Sequence, residues 1–296
     1  MASVIVLGVL VAAMGKATRL PFSFWLSRAM EGPGPVSALL HSAAIVAMGG
    51  YLLLRTSSLL QSTGWVATAA AWVGALTALP LGAVAVAQRD LKQLLAPSTA
   101  AQLGVVVMGA GLASVTGGAV HLVAHAATKA LLFLVAGVWL SASGTKQQLG
   151  ALVGAARRWP LVGVSAAVGA LALAGVAPLS LWATKDAVLA AALEESPALY
   201  VVGLAASAMS AVYAGKVLVV IWRPEPGDVE LRLDFKETGT RRGNGFQRFP
   251  LVVLAMGAAV LGVLALPSVG DRVRQALGEQ SGPSATVIEL WALCVR

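Results

Sequence analysis

What most constrains this chain is its series of long apolar runs, at 2–16, 36–54, 65–87, 99–114, 119–140, 160–177, 198–222 and 250–266, broken by short stretches of Pro, Gly and charge. A helix needs roughly 20 apolar residues to cross a bilayer core. In lipid it also has to satisfy its own backbone, which leaves helices as the natural spanning element for runs of this length. The expected fold is therefore all-α: a polytopic transmembrane helix bundle of about eight spans. Composition agrees, since 11% of the 296 residues are charged against roughly 25% in a soluble domain. The first run has no basic stretch before it and no small-residue cleavage pattern after it, so it reads as a span and not a signal peptide. One membrane domain is expected over 1–270, with a polar loop at 223–248 and a tail at 271–296.

The net charge of +8 is a topology signal. Its basic residues sit between apolar runs and are not interleaved with aromatics, so no nucleic-acid partner is expected. Alternating the spans puts thirteen Lys and Arg on one side, among them Arg28, Arg89, Arg157, Arg158, Arg241, Arg242 and Arg248. Only Arg55, Arg272, Arg274 and Arg296 fall on the other. By the positive-inside rule the rich side, including the 223–248 loop, is cytoplasmic. The expectation is a multi-pass protein of the cell (plasma) membrane with both termini outside. The single cysteine, Cys294, leaves no disulfide framework, Cys-ligated zinc or iron–sulfur cluster within the chain. No cofactor is expected, and redox chemistry is assigned to partners.

Two spans are interrupted by Gly and Pro, at 15–21 and 175–178, and such interruptions in lipid mark places surrounded by protein or a water cavity. The segment from Pro21 through Trp25 to Arg28 aligns without gaps on that from Pro178 through Trp182 to Lys185. The alternation runs these copies in opposite directions. That is the mark of an inverted repeat whose discontinuous helices meet near the midplane to form an ion path.

Within 118–140, His121, His125 and Lys129 recur every four residues. Helical geometry places all three on one face. A charge at mid-membrane costs at least roughly 2.5–3.5 kcal/mol, so an intramembrane Lys is a functional candidate by default. Burial disfavours the charged amine and a nearby carboxylate favours it, which makes such a Lys a switchable proton carrier. The histidines would shuttle protons or hold water; the alternative for each is a satisfied bundle residue. The pair also has the spacing of a zinc site, but no Glu stands in the metalloprotease position and only His41 offers a further ligand, so no metal is expected. Lys16 reads either as a path member or as a side chain snorkelling to the surface. Lys185 with Asp186 reads as a local ion pair or as part of the path. Lys216, near a span end, reads as snorkelling, and 109–111 as a helix-packing motif.

Several blocks carry a family resemblance. Gly15-Lys16, Pro21-Phe22, Trp25-Leu26, Ala29-Met30-Glu31-Gly32-Pro33 and the stretch from Pro35 to His41 resemble the antiporter-like family. So do Asp90-Leu91-Lys92, Ser98-Thr99, Gln102-Leu103-Gly104, His125 to Leu134 and Lys185-Asp186. That family comprises the large membrane-arm subunits of NADH:quinone oxidoreductase (complex I) and the related subunits of Mrp antiporters and membrane-bound hydrogenases. The resemblance is greatest to the largest antiporter-like subunit of complex I and covers the C-terminal half of the family core. It implies a proton path with Lys16 and His41 in one half-channel, Lys129 as central relay with His121 and His125, and Lys185 with Asp186 near the exit. It also implies membrane-subunit partners, including a partner or further N-terminal segment supplying the first half of the core, where the acid that pairs with Lys16 would lie.

The resulting expectation is proton translocation driven by partner redox subunits. The alternatives are a subunit of a cation/proton antiporter or hydrogenase, and a structural remnant that transports nothing.

Overall fold

A computed structural model describes residues 2–17, 20, 22, 24–42, 45–143, 148–224, 245–265 and 267–277. Pro21, most of the 223–248 loop and residues 278–296 of the tail, with Cys294, lie outside these residues. The described helices are α1 (Ala2–Lys16), α2 (Phe24–Arg28), α3 (Gly34–Ser42), α4 (Ile45–Arg55), α5 (Ser57–Gln61), α6 (Trp65–Ala87) and α7 (Leu91–Gly111). They continue with α8 (Val115–Ser143), α9 (Ala155–Arg158), α10 (Pro160–Ala174), α11 (Ser180–Glu195), α12 (Pro197–Trp222), α13 (Gly245–Val260) and α14 (Pro267–Leu277). No strand occurs among the described residues.

Among the described residues six segments are long and apolar enough to cross a membrane: Gly34–Arg55, which contains α3 and α4, then α6, α7, α8 and α12, and Arg248–Ala265. Two shorter apolar helices, Ser3–Lys16 and Pro160–Ala174, complete the set. The chain is a multi-pass helical membrane protein, as the apolar runs predict.

The connections collect at two ends. At one, Leu149 N–H donates to Arg89 O at 2.8 Å, Arg157 Nε donates to Trp222 O at 3.1 Å, and Lys92 Nζ donates to Gly32 O at 2.7 Å. At the other, Ser57 Oγ donates to Ala110 O and Gln61 Nε2 to Gly111 O. The first end gathers the Arg-rich connections, in keeping with the alternation of spans.

α7 starts eight residues before the apolar run that announced it. Asp90 caps it by accepting from Gln93 N–H at 3.0 Å, satisfying one of the amides a helix start leaves open. Lys92, Gln93 and Pro97 hide this turn from a hydropathy reading. The helix tolerates them because it is enclosed by protein along nearly its whole length, and a helix buried on all sides need not present an apolar face to lipid. α6 lies against it at backbone contact: a Cβ on Gly74 would stand 2.6 Å from Gly104 O, and one on Gly104 would stand 2.6 Å from Gly74 O. Small residues at such a crossing let van der Waals packing and helix–helix proximity replace the hydrophobic drive that lipid cannot supply.

The second interruption is present and well defined. α10 ends with Gly175 at φ +83°, its N–H donating to Ala172 O and that of Val176 to Leu171 O. This is a Schellman ending, which needs the left-handed conformation glycine adopts without steric cost. A cis peptide joins Ala177 to Pro178, and α11 begins two residues later. The sequence suggests only a short amphipathic piece at 185–193; α11 is instead a 16-residue helix with Leu181, Thr184, Lys185, Val188 and Ala190 to Ala192 buried. Ser180, Thr184 and Lys185 misled the pattern because they meet protein and not solvent.

Candidate functional site

Lys129 is fully buried in α8. Its ammonium donates to Leu95 O at 3.2 Å and to Ser98 Oγ, both on α7. Leu95 O also accepts from the hydroxyls of Ser98 and Thr99, each at 2.9 Å. These groups cluster around Pro97, which lacks a backbone donor and interrupts the helical ladder of α7. Among the described residues Lys129 forms no ion pair, so hydroxyl and carbonyl dipoles alone attend its amine.

His125 and His121 continue the same face of α8, one and two turns before Lys129. Both are buried, with rings nearly parallel at 7° and centroids 6.4 Å apart. His121 Nδ1 lies 2.9 Å from Thr184 Oγ1 on α11, while its Nε2 has no hydrogen-bond partner among the described residues. On the other side of Lys129, His41 of α3 stacks on Phe133 with centroids 4.9 Å apart. Phe133 is one turn beyond Lys129 on α8, so His41 packs against the same face of that helix. Neither His41 nitrogen has a hydrogen-bond partner among the described residues.

One residue past Thr184, Lys185 donates to Leu173 O at 2.9 Å and to Ser210 Oγ at 2.6 Å. The first bond fills a carbonyl that the Schellman ending of α10 leaves open, at the negative end of that helix dipole. Ser210 Oγ in turn donates a hydrogen bond to Ser207 O at 2.7 Å.

The structure thus brings His41, Lys129, His125, His121 and Lys185 into one buried file running through α3, α8 and α11. Asp186, the next residue of α11, is half-buried, and Lys185 directs its amine to Leu173 and Ser210. Lys16 is not brought in: it is exposed at the end of α1, on a groove of about 600 Å³ shared with Ala12, Gly15, Trp25 and Ile45. Lys216 does more than snorkel: its amine donates to Val86 O at 2.7 Å and Gln88 O at 2.6 Å, closing the C-terminus of α6.

Ser98, Thr184 and Ser210, which hold the three ionisable groups, carry no distinguishing signal in the sequence. Ser98 lies in a block that carries the family resemblance, but no role followed from that. The other two are single hydroxyls in apolar runs. No group of three or more His, Cys, Asp or Glu among the described residues is arranged to hold a metal ion.

Comparison with known proteins places the chain in a family. Residues 1–210 match the family described as NADH:quinone oxidoreductase/Mrp antiporter, TM. The chain is 33% identical over 264 residues to the chloroplastic NAD(P)H-quinone oxidoreductase subunit 5 of Mesostigma viride, covering 86% of this chain and 40% of that protein. It is 33% identical over 261 residues to NADH-quinone oxidoreductase subunit L of Rickettsia felis, covering 88% and 40%. Among solved structures, a chain of the Mrp complex from Dietzia sp. DQ12-45-1b superposes with a TM-score of 0.80 at 29% identity, over 96% of this chain and 31% of that one. The chain therefore spans about two-fifths of the length of the curated relatives it matches. With a family match over residues 1–210 and a shared fold of buried, broken helices, the chain belongs to the NADH:quinone oxidoreductase/Mrp antiporter transmembrane family.

Proposed function

We propose that this chain is a proton-translocating membrane subunit of an NADH:quinone oxidoreductase type assembly, moving protons along a Lys, His and water relay driven by redox work in partner subunits. The observation that carries the proposal is the Lys129 amine: fully buried in a membrane span and held only by neutral dipoles among the described residues. An ionisable side chain inside a membrane span is a candidate member of a proton path. The ring nitrogens of His41 and Nε2 of His121 are buried polar atoms of the kind that hold water. Moving one elementary charge against 100 mV takes about 2.3 kcal/mol, so uphill transport requires an external drive.

In this reading Lys16 is the contact to a neighbouring polypeptide segment, in the same or another chain, that packs on the α1 groove and supplies an acid; Asp186 stands near the exit. The Arg-rich end faces the cytoplasm and the membrane domain covers 1–270. The likeness to the Mrp complex supports a second reading, a subunit of a cation/proton antiporter.

The test is to purify the assembly from its source membrane, reconstitute it in sealed vesicles and follow internal pH. Acidification driven by NADH and quinone supports the first reading, and proton movement driven only by an imposed sodium gradient supports the second. No proton movement under either condition sinks both and leaves a structural role.

A further inference from the structure

We infer that Gln102 and Tyr213 hold water against the relay, forming a second polar bridge between Lys129 and Lys185 beside the histidine file.

Tyr213 of α12 is completely buried, and its hydroxyl accepts from Gln102 Nε2 of α7 at 2.7 Å. Each partner stands one helical turn from the hydroxyl that holds a lysine. Gln102 lies four residues after Ser98, which accepts from Lys129. Tyr213 lies three residues after Ser210, which accepts from Lys185. Residues at these spacings share a helix face. The order Lys129, Ser98, Gln102, Tyr213, Ser210, Lys185 therefore runs through α7 and α12, while His125, His121 and Thr184 lie between the same two lysines on α8 and α11.

The register of α7 against α8 sets Gln102 at the height of the histidines. Ser98 meets Lys129, and further along a Cβ on Gly109 would stand 3.3 Å from the Cα of Gly118. The two helices thus run antiparallel, with Gln102 level with His125.

Each side of this ring leaves a buried polar atom over. The second terminal atom of the Gln102 amide, Oε1, and Nε2 of His121 have no hydrogen-bond partner among the described residues. Turning the amide over exchanges its oxygen and nitrogen but leaves one of them open all the same. A buried polar atom without a partner is costly, and protein interiors relieve such atoms with bound water. A tie that serves only to fasten helices needs no second arm: Ser57 joins α5 to α7 by one bond to Ala110 O.

An amide neither gains nor loses a proton near neutral pH, so Gln102 carries no charge itself. Its part is to fix the Tyr213 hydroxyl and to orient the water through which protons pass between the lysines. Gln102 and Tyr213 are positioning residues. That role rests on the proposed relay; the water site does not.

Two measurements on the assembly purified from its source membrane test this. A cryo-electron-microscopy map that resolves ordered water should show water bonded to the Gln102 amide of the wild type and lose it in Q102L. In sealed vesicles Q102L and Y213F should each lower proton flux about tenfold, and the double variant should fall no further, because residues acting as a unit are not additive. Q102E keeps an acceptor on the open arm and should recover most of the flux lost in Q102L. S57A removes a buried hydrogen bond elsewhere on α7 and should keep wild-type flux, which separates positioning from lost stability. A side chain in place of the water, wild-type flux in Y213F, no recovery in Q102E, equal losses in S57A and Y213F, or multiplying losses in the double variant overturns the bridge. Should the variants fail to insert, the wild-type map still decides. A wild type that moves no protons sinks the relay and leaves the water site to the map; flux undiminished in both single variants sinks the bridge and keeps the relay.

Discussion

The ammonium of Lys185 donates to the Leu173 carbonyl at 2.9 Å, so one half of a broken helix pair caps the other with an ionisable group. Its second acceptor, Ser210 Oγ, comes from α12. Ser210→Ala should remove a hydrogen bond to a charged group, costing about 1.5–3 kcal/mol of stability when the amine is protonated. Ser210→Thr keeps the hydroxyl and should restore most of it. Thermal unfolding of the two variants in detergent checks this, and equal melting temperatures would contradict the role given to the hydroxyl.

Lys129→Ala should reduce proton flux by about tenfold or more, the consequence of raising one step by about 1.4 kcal/mol, while the protein still inserts. Lys216→Ala should leave flux near wild type and lower stability, because it opens only the Val86 and Gln88 carbonyls at the end of α6. Flux and melting temperature measured on both variants separate a relay group from a cap. Equal flux in the two would refute the assignment of Lys129.

Gly74→Ala should destabilise the bundle by about 1–3 kcal/mol through overpacking, since its Cβ would stand 2.6 Å from Gly104 O and from Met108 N. Gly8→Ala on α1 has nothing within 4 Å of the new methyl and should be neutral or gain up to about 1 kcal/mol from helix propensity. The comparison is read from unfolding midpoints, and a Gly74 variant as stable as the Gly8 variant would contradict the close crossing.

With the Arg-rich end in the cytoplasm, Cys294 should react with an impermeant thiol reagent in intact cells. Protection in intact cells and reaction only after lysis would reverse the orientation.

Much of this architecture is legible in one dimension. Hydropathy is a property of a run of residues, so the spans and the Gly175–Pro178 break follow from the sequence. The 3.6-residue period places His121, His125 and Lys129 on one face before any neighbour is known. What the chain cannot state by itself is which helix each face meets. Ser98, Thr184 and Ser210 are ordinary hydroxyls on α7, α11 and α12, and they matter only because packing sets them against Lys129, His121 and Lys185. The start of α7 at Leu91 and the length of α11 escape a hydropathy reading for the same reason: polar residues are admissible in a span when protein, not lipid, surrounds them. Lys16 shows the converse, an intramembrane candidate by sequence that the fold leaves on the outer surface of α1. Span location is set by transfer of each segment from water, a local quantity, whereas the relay is set by contacts between segments far apart in the chain, which only the packed bundle decides.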